Sequence, residues 1–187
     1  LTEQDLITGL KEGNSLAFKE LVANYQLPVI NTCLGIVQNR HDAEDLTQDV
    51  FVEIFRSVGS FRADSKLSTW IYRIAVNKSL NFVRKQKRRG WISSLEDFLK
   101  GKTEPETSGN ASSDVERSET GREIHQAISS LPENQRIAFT LNKYDELSYK
   151  EIAEVMNLSV SSVESLIHRA KQGLQKKLWA SYKKGNI

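Results

Sequence analysis

One stretch divides this chain in two. Residues 93–118, SSLEDFLKGKTEPETSGNASSDVERS, are rich in Ser, Gly, Glu and Thr, include Pro105 and hold few large apolar side chains. Such a composition buries too little surface to offset the entropy of ordering the chain. It predicts a flexible acidic tether. Folding is then left to residues 1–92 and 119–187, each long enough for a modest core of its own.

Both flanking segments carry helical periodicity and no convincing alternating strand, so the expected class is all-α, two small helical domains. In the first, apolar residues recur at helical spacing through Leu16, Leu21, Val22 and Tyr25, through Val50, Phe51, Ile54 and Phe55, and through Trp70, Ile71, Ile74 and Ala75. Gly59 and the polar run 62–66 separate the last two helices, and Gly90 reads as the end of the last one. In the second, Ile124, Ala127, Ile128 and Leu131 repeat the pattern, and Pro132 suits a helix start. Ser148 and Glu151 have capping-box spacing, and a short break at residues 157–159 precedes a long final helix from about Val160 to Tyr182. Two helices joined by so short a turn form a helix-turn-helix candidate.

Net charge is only +2 over 187 residues, but the charge is segregated. Residues 1–50 carry net −5, residues 62–89 net +8, residues 93–119 net −4 and residues 161–184 net +5. Two separated basic blocks predict two contacts with a polyanion.

The basic blocks have distinct chemistry. In the final helix, Val160, Val163, Ile167, Ala170 and Leu174 form the predicted core face, leaving Ser161, Ser162, Ser165, His168, Arg169 and Lys171 opposite it. Small hydroxyls at the front of a helix permit close approach to base edges, and basic residues behind them suit phosphates. Two roles are open for Glu164, which a phosphate-rich partner repels: accepting a hydrogen bond from a cytosine amino group, or completing a capping box with Ser161. In residues 68–89, Trp70, Ile71, Ile74 and Ala75 point to a core while Arg73, Asn77, Asn81, Arg84 and Arg88 recur on another face. Asn and Arg together can bond bases and phosphates, and the polar loop just before them can receive an unstacked base.

Other classes find little support. Asp42, Asp45 and Asp49 share a helix face, as nuclease carboxylates around Mg²⁺ would, but such faces are far more often solvated or protein-binding. His41, His125 and His168 are dispersed, and neither a phosphate-cradling Gly-rich loop nor a nucleophile motif is present. No enzyme activity, metal or cofactor is therefore expected. Cys33 is the only cysteine, which fits a reducing compartment. The uncharged run 21–39 is too polar to span a bilayer, and without a signal pattern the expected location is the cytoplasm.

Taken in order, DAEDLTQDVFVEIF, FRADSKLSTWIYRIAVNKSLNFVRKQKRR and LPENQRIAFTLNKYDELSYKEIAEVMNLSVSSVESLIHRAKQGLQKKL resemble bacterial extracytoplasmic-function sigma factors, the minimal sigma-70 class. The resemblance implies a promoter-specificity subunit of RNA polymerase, with a sigma-2 domain over 1–92, an acidic linker over 93–118 and a sigma-4 domain over 119–187. It implies that Asp45, Leu46, Gln48, Asp49 and Phe51 dock on the clamp helices of the largest polymerase subunit, and that sigma-4 meets the flap of the second largest. Arg62, Lys66, Ser68, Trp70, Arg73, Asn77, Asn81, Arg84 and Arg88 would read and help melt the minus-ten element. Ser148, Tyr149, Lys150, Ser161, Ser162, Glu164, Ser165, His168, Arg169 and Lys171 would read the minus-thirty-five element as duplex, and an anti-sigma factor is a further implied partner. The chain differs from many such proteins at Glu164 and Leu166, which are basic in them. The competing reading is a helix-turn-helix regulator that acts without being a polymerase subunit.

Overall fold

The computed structural model describes residues 2–99 and 119–183; of the predicted tether over 93–118, residues 93–99 continue the fourth helix instead, and residues 100–118 lie outside the described ones. The order is α1 (Glu3–Lys11), α2 (Ser15–Val37), α3 (Arg40–Ser57), a 3-10 turn (Val58–Ser60), α4 (Leu67–Leu99), α5 (Glu119–Ser129), α6 (Glu133–Lys143), α7 (Tyr149–Met156) and α8 (Val160–Lys183). No strand occurs among the described residues.

Local chemistry starts most of these helices. Thr2 and Asp5 form a reciprocal capping box on α1, and Asn14 and Asn39 side chains accept backbone N–H groups at the starts of α2 and α3. The Glu3 carboxylate accepts from the Leu67 N–H at 3.0 Å, so the first helix also supplies a cap for the fourth. Gly90 does not end α4, contrary to the sequence reading. A glycine costs a helix only about 1 kcal/mol, and Trp91, Ile92, Leu95, Phe98 and Leu99 continue the three-and-four spacing beyond it.

The first core is built by α1 to α4 from Leu6, Leu10, Leu21, Val29, Cys33, Val50, Ile54, Leu67 and Ile71. The second departs from the expectation of two self-contained halves. Ile36 of α2 and Tyr72 and Val76 of α4 are buried together with Ile137 and Leu141 of α6, Ile152 and Val155 of α7, and Val163 and Ile167 of α8. A smaller third cluster, Ala127, Leu131, Ala170 and Leu174, holds α5 against α8.

Polar contacts pin the shared core. The Arg136 guanidinium donates to the carbonyls of Gly35 (2.9 Å) and Ile36 (3.1 Å) at the end of α2, and to those of Ser129 and Leu131 (both 3.2 Å). It thus satisfies helix-end carbonyls that otherwise lack partners. Gly35 lets α6 come this close: a Cβ there would lie 2.9 Å from Thr140 Cγ2.

Candidate nucleic-acid interface

The Ser148 hydroxyl caps the Glu151 N–H, and the Glu151 carboxylate accepts from the Ser148 N–H (2.9 Å) and hydroxyl (2.7 Å), which fixes the start of α7. α7 ends at Asn157 in the left-handed conformation, φ 54°, and the Leu158 N–H bonds the Ala153 carbonyl. The chain then turns through Ser159, whose hydroxyl accepts from the Ser162 N–H at 3.1 Å and starts α8. This is the helix-turn-helix predicted from the sequence.

On α8, Val163, Ile167, Ala170 and Leu174 are buried as expected, whereas Val160 is 47% exposed because it occupies the first helical position, ahead of the turn that packs. Ser161, Ser162, Glu164, Ser165, His168, Arg169 and Lys171 are all exposed. His168 Nε2 is 3.0 Å from Gln172 Nε2. Ser148 and Lys150 are exposed at the start of α7, with Tyr149 partly buried.

The basic helix is divided between two surroundings. Asn77, Asn81, Arg84 and Arg88 are exposed along one run of α4. Nearer its start, the second half of the chain covers the same helix. Lys66 Nζ is 2.7 Å from the Glu151 carboxylate, and Arg73 Nε donates to the Glu154 carbonyl at 3.2 Å. Lys87 pairs with Glu133 at 3.3 Å. Lys66 and then Ser148 hold the Glu151 carboxyl down to about 2. Arg62 is exposed in the preceding loop and Ser68 is partly buried. Trp70 stacks tilted on Phe61, ring centres 5.0 Å apart, so the aromatic predicted near the minus-ten face is held by the first core.

On α3 the structure separates the predicted docking residues. Asp45, Gln48 and Asp49 are exposed, while Leu46 and Phe51 are buried in the first core. Leu46 and Phe51, which the resemblance includes in the docking set, are turned inward by helical periodicity, where they shape the surface rather than present it. Phe51 lines a groove of about 550 Å³ together with Phe18, Val22, Gln26, Thr47, Gln48, Val52 and Phe55. Phe55 shares the apolar spacing of Val50, Phe51 and Ile54, yet it is 60% exposed and packs edge-on against Phe18, ring centres 5.5 Å apart. The signal was there in Val52 and Phe55, an apolar pair three residues apart beside Gln48 and Asp49. Among the described residues no group of three or more His, Cys, Asp or Glu is gathered to hold a metal, and no helix is long and apolar enough to cross a membrane.

A helix-turn-helix with a serine-lined second helix, joined to a helical domain carrying a basic, asparagine-bearing helix, defines a DNA-binding transcription protein. Comparison with known proteins narrows this. Residues 21–89 match the family described as Sigma-70 region 2, and residues 121–174 match Sigma-70, region 4. The chain is 37% identical to the ECF RNA polymerase sigma-E factor of Escherichia coli (strain K12), covering 95% of each, and 34% identical to the RNA polymerase sigma-H factor of Pseudomonas aeruginosa, covering 94% of this chain and 93% of that one. Its fold is similar to that of the sigma factor RpoE solved in complex with the anti-sigma factor NepR from Bartonella quintana (TM-score 0.70, 22% identity, 86% of this chain and 96% of that one). It is also similar to CnrH in complex with the cytosolic domain of CnrY (TM-score 0.69, 22% identity, 95% and 97% covered). The chain belongs to the sigma-70 family, in its extracytoplasmic-function class, and acts as a sigma factor that directs RNA polymerase to promoters. A regulator acting without polymerase is not supported.

Proposed function

We propose the following division of work within that activity. The α3 surface of Asp45, Gln48 and Asp49, with the apolar groove at Val52 and Phe55, docks on the clamp helices of the largest polymerase subunit. The exposed run Asn77, Asn81, Arg84 and Arg88, with Arg62, Lys66, Ser68, Trp70 and Arg73 at its start, engages the minus-ten element. Ser161, Ser162, Ser165, His168 and Arg169 on α8 enter the major groove of the minus-thirty-five element, while Ser148, Tyr149, Lys150 and Lys171 border it. Sigma-4 contacts the flap of the second-largest subunit.

The observation that carries this reading is the engagement of Lys66 and Arg73 by Glu151 and the Glu154 carbonyl. Acceptors on α7 occupy donors that a nucleic-acid backbone would otherwise take, so promoter reading requires the halves to part, and polymerase supplies the separation. An anti-sigma protein, such as accompanies the structurally similar RpoE, would act by holding them together or by covering the α3 groove. The protein works in the cytoplasm, where its polymerase is.

The test is transcription in vitro with purified core polymerase on genomic fragments, with start sites mapped. Wild-type protein yields discrete starts that share two spaced elements. Asp49→Lys combined with Gln48→Ala abolishes them while helix content is unchanged. Full competition for core polymerase by that double variant overturns the docking assignment.

A further inference from the structure

Glu164 is a carboxylate on a face meant for a polyanion, and the helix leaves it with nothing structural to do. A capping box with Ser161 would need the helix to begin at residue 162. Instead α8 begins at Val160, and the Ser159 hydroxyl takes the Ser162 N–H at 3.1 Å, so the position that reaches back is Ser162, and Glu164, two residues further on, cannot. No hydrogen bond or ion pair ties Glu164 to any described residue. His168, one turn on, is instead within 3.0 Å of Gln172. Glu164 is exposed, between the hydroxyls of Ser161 and Ser165 and the basic residues Arg169 and Lys171.

What such a group can do in a major groove is narrow. An ionised carboxylate only accepts hydrogen bonds, and the groove offers it two donors, the cytosine N4 amino group and the adenine N6 amino group. Guanine presents only acceptors there, and thymine an acceptor and a methyl group, so both repel it or leave it desolvated without a partner. Adenine N6 is flanked by the N7 acceptor, which opposes the second carboxylate oxygen, whereas cytosine N4 has no acceptor on that edge of its own base. The neighbouring serines donate or accept as required and discriminate little.

We propose that Glu164 is a specificity-determining residue of the recognition helix, selecting a cytosine in the minus-thirty-five element and rejecting guanine and thymine at that position. The inference rests on α8 being the reading helix. The serines permit close approach, Arg169 and Lys171 supply attraction to phosphate, and Glu164 turns its unfavourable charge into discrimination: at a site without cytosine the repulsion is uncompensated.

The experiment is selection of promoters randomised over the minus-thirty-five element by polymerase holoenzyme carrying wild-type protein, Glu164→Gln, or Ser165→Ala with His168→Ala. Glutamine keeps the size of the side chain and can donate to adenine N7 while accepting from N6. The expected result is one position rich in cytosine with the wild type that shifts toward adenine with Glu164→Gln, a change in relative preference of roughly 5- to 100-fold, with other positions unmoved. If Glu164→Gln leaves every position as it was and only strengthens binding to all sequences alike, the carboxylate merely repels and the inference falls, even where the Ser165 and His168 variant shifts the consensus. If neither variant moves any position, α8 is not the reading helix, and both the inference and the reading beneath it fall.

Discussion

The hydroxyl of Thr32, toward the end of α2, donates a 2.9 Å hydrogen bond to the carboxylate of Asp145, which lies 113 residues further along in the loop after α6. The Tyr72 phenol of α4 also acts on this carboxylate, favouring its charged form. Asp145 is thus an acid from the second half of the chain set between two helices of the first, with the buried Cys33 thiol and, beyond Tyr72, the Tyr25 phenol as the other titratable neighbours. Burial raises its pKa from the ordinary 3.8 to about 7, only partly opposed by Thr32 and Tyr72.

This position makes the packing of the halves sensitive to pH. Parting them returns Asp145 to water and its ordinary pKa, so the packed arrangement binds the proton more tightly. Its advantage is complete below about 3.8, declines as pH rises and is gone above about 7. Between pH 6 and pH 8 the ratio of packed to parted molecules should fall about tenfold. Energy transfer between labels on α3 and α8 measures this ratio, and Asp145→Asn, which stays neutral, should flatten the dependence. A wild-type slope retained in the Asn variant would place the titrating group elsewhere.

Gly35 and Thr140 provide a second, purely steric test of the same packing. A Cβ at Gly35 would meet Thr140 Cγ2 at 2.9 Å and Oγ1 at 3.1 Å, so Gly35→Ala should cost about 1–3 kcal/mol of overpacking against up to about 1 kcal/mol gained in helix propensity. Thr140 Oγ1 is buried without a hydrogen-bond partner, so Thr140→Ala leaves no orphaned group behind. In that background the crowding atoms are gone, and Gly35→Ala should become stabilising. Urea denaturation of the four proteins reads the sign, and equal destabilisation in both backgrounds would contradict it.

These contacts also mark where sequence reading stops. The helix-turn-helix was legible because its signals are local: the Ser148 and Glu151 box, and the break at Asn157. The packing of the halves was not, because Thr32 and Asp145, Arg136 and Gly35, and Lys66 and Glu151 are single residues 85 or more apart and leave no periodic trace. The inward turn of Leu46 and the exposure of Phe55 escaped the sequence for a different reason. Apolar spacing locates a stripe but not its edges, and α3 is apolar on both its core side and its groove side.

The α3 groove carries a prediction of its own. Phe55 is 60% exposed and touches Phe18 edge-on, so Phe55→Ala removes little buried area from the fold and should cost under about 1 kcal/mol of stability. As an aromatic anchor at the centre of a docking surface, the same ring should be worth about 2 kcal/mol or more of polymerase binding, some thirtyfold in affinity. Titration of labelled protein with core polymerase separates the two. A loss of affinity no larger than the loss of stability would show that the ring does not anchor polymerase.

The exposed face of α8 should divide into bases and backbone along its length. Arg169 lies on the same exposed face as Ser161 and Ser165, within reach of base edges, so Arg169→Ala should lose roughly 1–3 kcal/mol on the preferred minus-thirty-five site and much less on random DNA. Lys176 is two turns further on and exposed, and Lys177 beside it reaches back to the Ser130 hydroxyl. A lysine at that distance meets phosphate rather than bases, so Lys176→Ala should weaken all sequences alike and reduce the salt slope of binding by about one. Holoenzyme binding to the preferred and to scrambled promoters, measured from 50 to 200 mM salt, distinguishes them, because only a base contact changes the ratio between the two DNAs. A ratio altered by Lys176→Ala and left intact by Arg169→Ala would mean that the reading end of α8 has been assigned backwards.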